Sequence, residues 1–155
     1  VAAALFDILS YRIPNRLCLA LAVLSCLHIL VIGESIENAA LRTGIAFAVL
    51  IVGLILQGHG FVGGGDIKLI AAVSLWIYPA DWPLFMLAIM LFGGFLALAI
   101  LILRKLKAWI PEYVTTRNWL KKLLSDNEGI PYGVAVSSAG MMFLALELER
   151  LKLFG

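Results

Sequence analysis

The sequence predicts an all-α fold, a polytopic membrane bundle of about six transmembrane segments, the first of them expected to be truncated in the numbered chain. Composition points there first. The chain is 63% hydrophobic and only 14% charged, with a mean hydropathy of +1.02. A soluble domain is nearer half apolar and a quarter charged. The apolar residues also fall into long runs separated by short polar breaks, and the basic residues cluster in alternate breaks. One compact domain over residues 1–155 is the simplest organisation, with a basic cytoplasmic or interfacial segment at about 104–129.

Each segment follows from its breaks. Val1 to Phe6 reads as the end of a first helix, too short to span alone. A signal peptide is the alternative, but it has neither an n-region nor a cleavage site to support it. Tyr11 to Arg16 is a polar turn in which Pro14 stops a helix, and Asn15 is placed to cap the next. Leu17 to Ile32 is the second helix. Gly33 to Asn38 is an acidic loop, and Ala39 to Leu56 is the third helix, with Arg42 near its start. Gln57 to Gly65 is a glycine-rich break. Asp66 to Tyr78 is a short fourth helix, turned by Pro79-Ala80-Asp81. Trp82 to Leu103 is the fifth. In the hydrophilic stretch from Arg104 to Gly129, Thr116 could cap a short interfacial helix over Arg117 to Ser125, or the stretch is a solvated basic loop. Ile130 to Leu146 is the sixth helix, followed by a polar-apolar tail.

Charge placement gives the orientation. One set of alternate loops holds Arg12, Arg16, Lys68, Arg104, Lys105, Lys107, Arg117, Lys121 and Lys122, nine of the twelve basic residues. The opposite side holds Arg42, Arg150 and Lys152. The richer side is expected in the cytoplasm. A net charge of +2 is too small to suggest nucleic acid.

Two carboxylates fall on that cytoplasmic side, Asp7 and Asp66. A carboxylate at the edge of hydrocarbon is a functional candidate by default. Two of them suit peptide hydrolysis: an ionised carboxylate draws a proton from water while a protonated one polarises the scissile carbonyl. Adjacent carboxyls cannot both ionise without penalty, so such a pair holds one proton and titrates as a unit. Gly63, Gly64 and Gly65 lack a Cβ and permit positive φ, so a substrate backbone could approach Asp66 closely. The plainer alternative is a loop with Asp66 as helix cap. Lys68 either neutralises charge near Asp66 or anchors the rim.

Other residues read as structural. Cys18 and Cys26 lie about 12 Å apart along one helix, too far for a disulfide. They form no ligand cluster with His28 and His59, so neither a metal nor a cofactor is expected. Gly133, Ser137 and Gly140 form a small-residue stripe, as do Gly93 and Ala97, both read as close helix contacts. Trp76, Tyr78 and Trp82 read as an interfacial belt.

Three ordered motifs carry a family resemblance. Asp7 is followed by Arg12-Ile13-Pro14-Asn15. Gly63-Gly64-Gly65-Asp66-Ile67-Lys68-Leu69 forms a GGGDxKL block, and Gly129-Ile130-Pro131-Tyr132-Gly133-Val134-Ala135 a late IPYG block. Together they resemble the bacterial type IV prepilin peptidases, GxGD intramembrane aspartyl proteases, and most closely the short forms serving Tad/Flp-type pili. The resemblance implies a bacterial inner-membrane enzyme that removes the short basic leader from prepilins at the cytoplasmic face. It makes Asp7 and Asp66 the catalytic pair, with Gly63, Gly64, Gly65 and Lys68 toward substrate. The N-terminal cytoplasmic domain of the long forms, with its cysteine pairs and N-methyltransferase activity, is not seen, so methylation is not expected. Phe6 stands before Asp7 where the presenilin-like branch has tyrosine, and Pro131-Tyr132-Gly133 stands in place of its PAL motif. A small ion-coupled transporter and a non-catalytic secretion subunit are the rival classes. The transporter expects midplane carboxylates and an inverted repeat, neither of which the sequence offers.

Overall fold

The structure, a computed structural model, describes residues 2–10, 13–60, 62–106, 125 and 130–154. The described residues form six α-helices and one short 3-10 turn: α1 (Ala2–Ser10), α2 (Asn15–Ile32), α3 (Ile36–Gly58), α4 (Gly64–Ser74), the turn Pro79–Asp81, α5 (Trp82–Lys105) and α6 (Tyr132–Phe154). Three are long and apolar enough to cross a membrane: α2, α3 and the turn with α5. Their outward faces are apolar, with Val31 84% and Phe95 75% exposed, as suits contact with lipid. α1 and α4, at nine and eleven residues, are too short to cross. The expected interfacial helix over Arg117 to Ser125 lies almost wholly outside the described residues.

The short α4 is the centre of the bundle. It packs against α2, α3 and α6, and α6 packs in turn against α1 and α5. Ile67, Leu69, Ala71, Ala72, Val73 and Ser74 of α4 are buried. Gly53 lets α3 approach so closely that a Cβ there would meet the Ile67 side chain. Leu69 and Val73 join Phe85, Val136, Ala139 and Phe143 in the core, where Phe85 and Phe143 meet edge to face.

A helix that stops inside a bundle leaves its last carbonyls without partners, which is costly away from water. Here they are met. The Leu75 carbonyl accepts from Ser25 Oγ at 3.0 Å and from Arg42 Nη1 at 3.4 Å, and the Trp76 carbonyl accepts from Arg42 Nη1 at 3.3 Å. Arg42 is 1% exposed. Its Nη2 lies 2.8 Å from Glu34 Oε1, an ion pair without hydrogen-bond alignment, and its guanidinium stacks 4.1 Å over the Tyr78 ring. This residue, which charge counting places only on one side of the membrane, clamps the chain just beyond α4.

Several boundaries move from expectation. α1 runs through Asp7 to Ser10. α3 begins earlier, at Ile36, because Ser35 caps it by accepting from the Asn38 amide at 3.3 Å. α4 ends at Ser74 instead of Tyr78, and α6 continues to Phe154 where a tail was expected. Asn15 does not cap α2; Pro14 occupies the cap position, and Asn15 Oδ1 accepts from Lys68 Nζ at 3.0 Å. Trp76, Tyr78 and Trp82 are half-buried, and both indoles bond into the bundle. Trp76 Nε1 donates to the Leu21 carbonyl at 3.0 Å, Trp82 Nε1 donates to Ser74 Oγ at 3.2 Å, and the His28 ring packs on Trp76.

Candidate active site

Four chain segments meet at the end of the bundle where α4 begins. α1 brings Asp7, the turn before α2 brings Ile13, α4 brings Asp66, and α6 brings Gly133. Asp7 is 5% exposed. The first amides of any helix have no partner within it. In α6 the second of these, Gly133 N–H, donates to Asp7 Oδ2 at 2.6 Å. A Cβ there would force its neighbours to shift, standing 2.8 Å from Asp7 Oδ2 and 3.0 Å from Ile13 Cδ1. The undisturbed contact of α6 with Asp7 therefore uses this glycine.

Asp66 is the third residue of α4. It does not cap the helix, whose cap is Gly63 with φ −72°. The triple glycine does not use positive φ; only Gly33 and Gly60 do so among the described residues. What Gly63 supplies is space, because a Cβ there would lie 2.9 Å from Asp66 Oδ2. Gly64 stands against the flexible end of Gln57, and Gly65 makes an ordinary contact with Ile13.

Asp7 and Asp66 line the same cavity, of about 310 Å³, with mostly polar walls. Gly63, Gly64, Gly65 and Lys68 line it too, as do Ile13 and Asn15. Thus every candidate site residue from the sequence reaches one space, although Asp7 and Asp66 are far apart in the chain. Burial, and then the neighbouring charge of Asp7, push the Asp66 carboxyl up to about 6. Lys68 is exposed and bonded to Asn15, so it closes one wall of the cavity instead of pairing with a carboxylate.

Gly133 is the residue whose role sequence reasoning missed. It read as part of a packing stripe, yet its amide holds one of the two carboxylates. The signal was its place just after Pro131-Tyr132, in a first helical turn whose amides are free to donate.

This arrangement defines a class: a polytopic membrane protein with two carboxylates converging on one polar cavity. Residues 1–98, more than half the chain, match the sequence model of the type IV leader peptidase family. The chain belongs to that family of peptidases. No curated protein and no solved structure matches it.

Proposed function

We propose that the protein is an aspartic endopeptidase that removes the short basic leader from type IV, Flp-like prepilins. The observation that carries this reading is the shared cavity of Asp7 and Asp66. In the proposed step a water lies between the two carboxyls. Asp7, with Oδ2 held by the Gly133 amide, takes the water proton on its other oxygen. The resulting hydroxide adds to the scissile carbonyl, whose oxygen takes the Asp66 proton. Collapse breaks the C–N bond, the leaving amine takes the proton from Asp7, and the new acid returns one to Asp66. The glycine block would admit an extended substrate backbone beside Asp66. A helical backbone must unwind there first, because its carbonyls are already bonded and shielded.

The basic bias of the loops supports an active site facing the cytoplasm of a bacterial inner membrane. Residues 1–155 would act as one integral-membrane domain, with the basic segment near 104–129 on that side.

The test is to incubate purified protein in micelles with a candidate prepilin and to locate the new amino terminus by mass spectrometry. A single cut just before the apolar helix of the pilin is expected. No cut, together with carboxylate-dependent ion flux in liposomes, would favour the transporter class.

A further inference from the structure

Two antiparallel helices joined by a short turn normally pack on each other. α2 and α3 are joined by only Gly33, Glu34 and Ser35, yet they make almost no contact with each other. Each packs on α4 instead, and a crevice of about 630 Å³ opens between them. On each helix the lining positions recur three or four residues apart, as with Lys68, Ala71, Ala72 and Leu75 on α4. That spacing is one helical face. Three such faces turned to one gap form a groove of the kind that receives a helix.

We infer that this crevice between α2 and α3 seats the apolar helix of the substrate, an inference that rests on the peptidase reading. Its connection to the site is direct: Asn15 and Lys68 line both the crevice and the aspartate cavity. A helix lying in the groove therefore ends where the two carboxylates begin. The walls carry small side chains, Ala22, Ala46, Ala71 and Ala72, which let helix backbones approach closely in lipid. The second large apolar crevice, lined by Val49, Val52 and Met86 between α3 and α5, shares no residue with the aspartate cavity. An unbranched lipid chain would fill either crevice equally well. Only the first shares lining residues with the aspartate cavity, so a substrate helix delivering its junction to Asp7 and Asp66 fits it better.

The crevice also fixes a register. Cys26, exposed and unpaired by disulfide, lines it eleven residues along α2 from Asn15, about 16 Å of helix. A substrate helix entering at the cavity places its residue about eleven positions after the cut beside Cys26.

The experiment uses a Cys18→Ser background with Asp66→Asn to hold the complex, and prepilins carrying one cysteine each along the apolar helix. Oxidation with copper phenanthroline should link Cys26 to positions near the eleventh and to their neighbours one turn away, and not to the opposite face. A Cys26→Ser, Val49→Cys protein reports the other crevice. Links through Val49→Cys alone would overturn the inference while leaving the peptidase reading intact. So would absence of any Cys26 link with a prepilin that the wild-type protein cuts, which assigns the crevice to lipid. Failure of wild-type protein to cut any prepilin removes both. As a second readout, Ala22→Phe fills the groove. It should raise KM for the membrane substrate about tenfold or more, leave kcat within about threefold, and spare a short peptide covering only the junction. Equal effects on both substrates would contradict the assignment.

Discussion

Replacing Gly133 with alanine separates catalysis from folding. The new Cβ would stand 2.8 Å from Asp7 Oδ2 and 3.0 Å from both Asp7 Cγ and Ile13 Cδ1. Both neighbours are tightly held, since Asp7 is 5% and Ile13 8% exposed. Restoring ordinary contact moves the carboxylate by about 0.6 Å and stretches the 2.6 Å bond from the Gly133 amide to the long end of the hydrogen-bond range. A misplacement of 1 Å costs about a hundredfold in rate, so this shift costs roughly fifteenfold. The expected fall in kcat is therefore on the order of tenfold or more. The fold should survive, because alanine is the better helix former by up to about 1 kcal/mol, which offsets part of an overpacking strain of about 1–3 kcal/mol. The assay is single-turnover cleavage of a prepilin by excess enzyme in micelles, beside a thermal melt. Gly140→Ala is the control on the same stripe: its Cβ would meet Val73 Cγ1 at 3.0 Å and neither carboxylate. It should stay within about threefold of wild type. A Gly133→Ala protein as fast as wild type would refute the role assigned to that amide.

Three further outcomes follow from the same geometry. The Asp66 carboxyl, raised to about 6, is protonated below that pH and loses its proton above it, so the single-turnover rate should fall as pH rises through about 6; a flat rate from about pH 5 to 8 would contradict the role of Asp66 as proton holder. Arg42→Met leaves Glu34 buried without its partner and the Trp76 carbonyl without its side-chain donor, and should cost about 3–5 kcal/mol by thermal melting in micelles, partly restored when Glu34 is also made Leu. Gly63→Ala meets Asp66 Oδ2 at 2.9 Å and should slow cleavage about tenfold in the same assay; a rate equal to wild type would contradict the space assigned to Gly63.

The order of the helices was legible because apolar runs end where chemistry ends them: at Pro14, at Gly33, in the glycine block and at Pro79. The two carboxylates were legible because charge is rare at the edge of hydrocarbon. What could not be read was set by partners remote in sequence. Where α4 ends, at Ser74, the two carbonyls that follow are held by Arg42, thirty-three residues before Leu75. Asn15 looked like a cap by local rules, and Lys68, fifty-three residues on, claims its oxygen instead. Gly133 lies 126 residues from Asp7. Its place in a first helical turn marks an amide free to donate, but nothing local says that the acceptor is a carboxylate from α1. Of the two properties read for the triple glycine, the absent Cβ is the one used beside Asp66, at Gly63, while positive φ is not.

The most direct measurement is cleavage of one prepilin by Asp7→Asn, Asp66→Asn and the double variant, each shown to be folded by thermal melting, with products identified by mass. Residues that act as one unit are strongly non-additive. Each single variant should therefore lose at least about a thousandfold in rate, and the double variant should be no slower than either. Leader removal at the wild-type rate by the folded double variant would show that the bond is broken elsewhere.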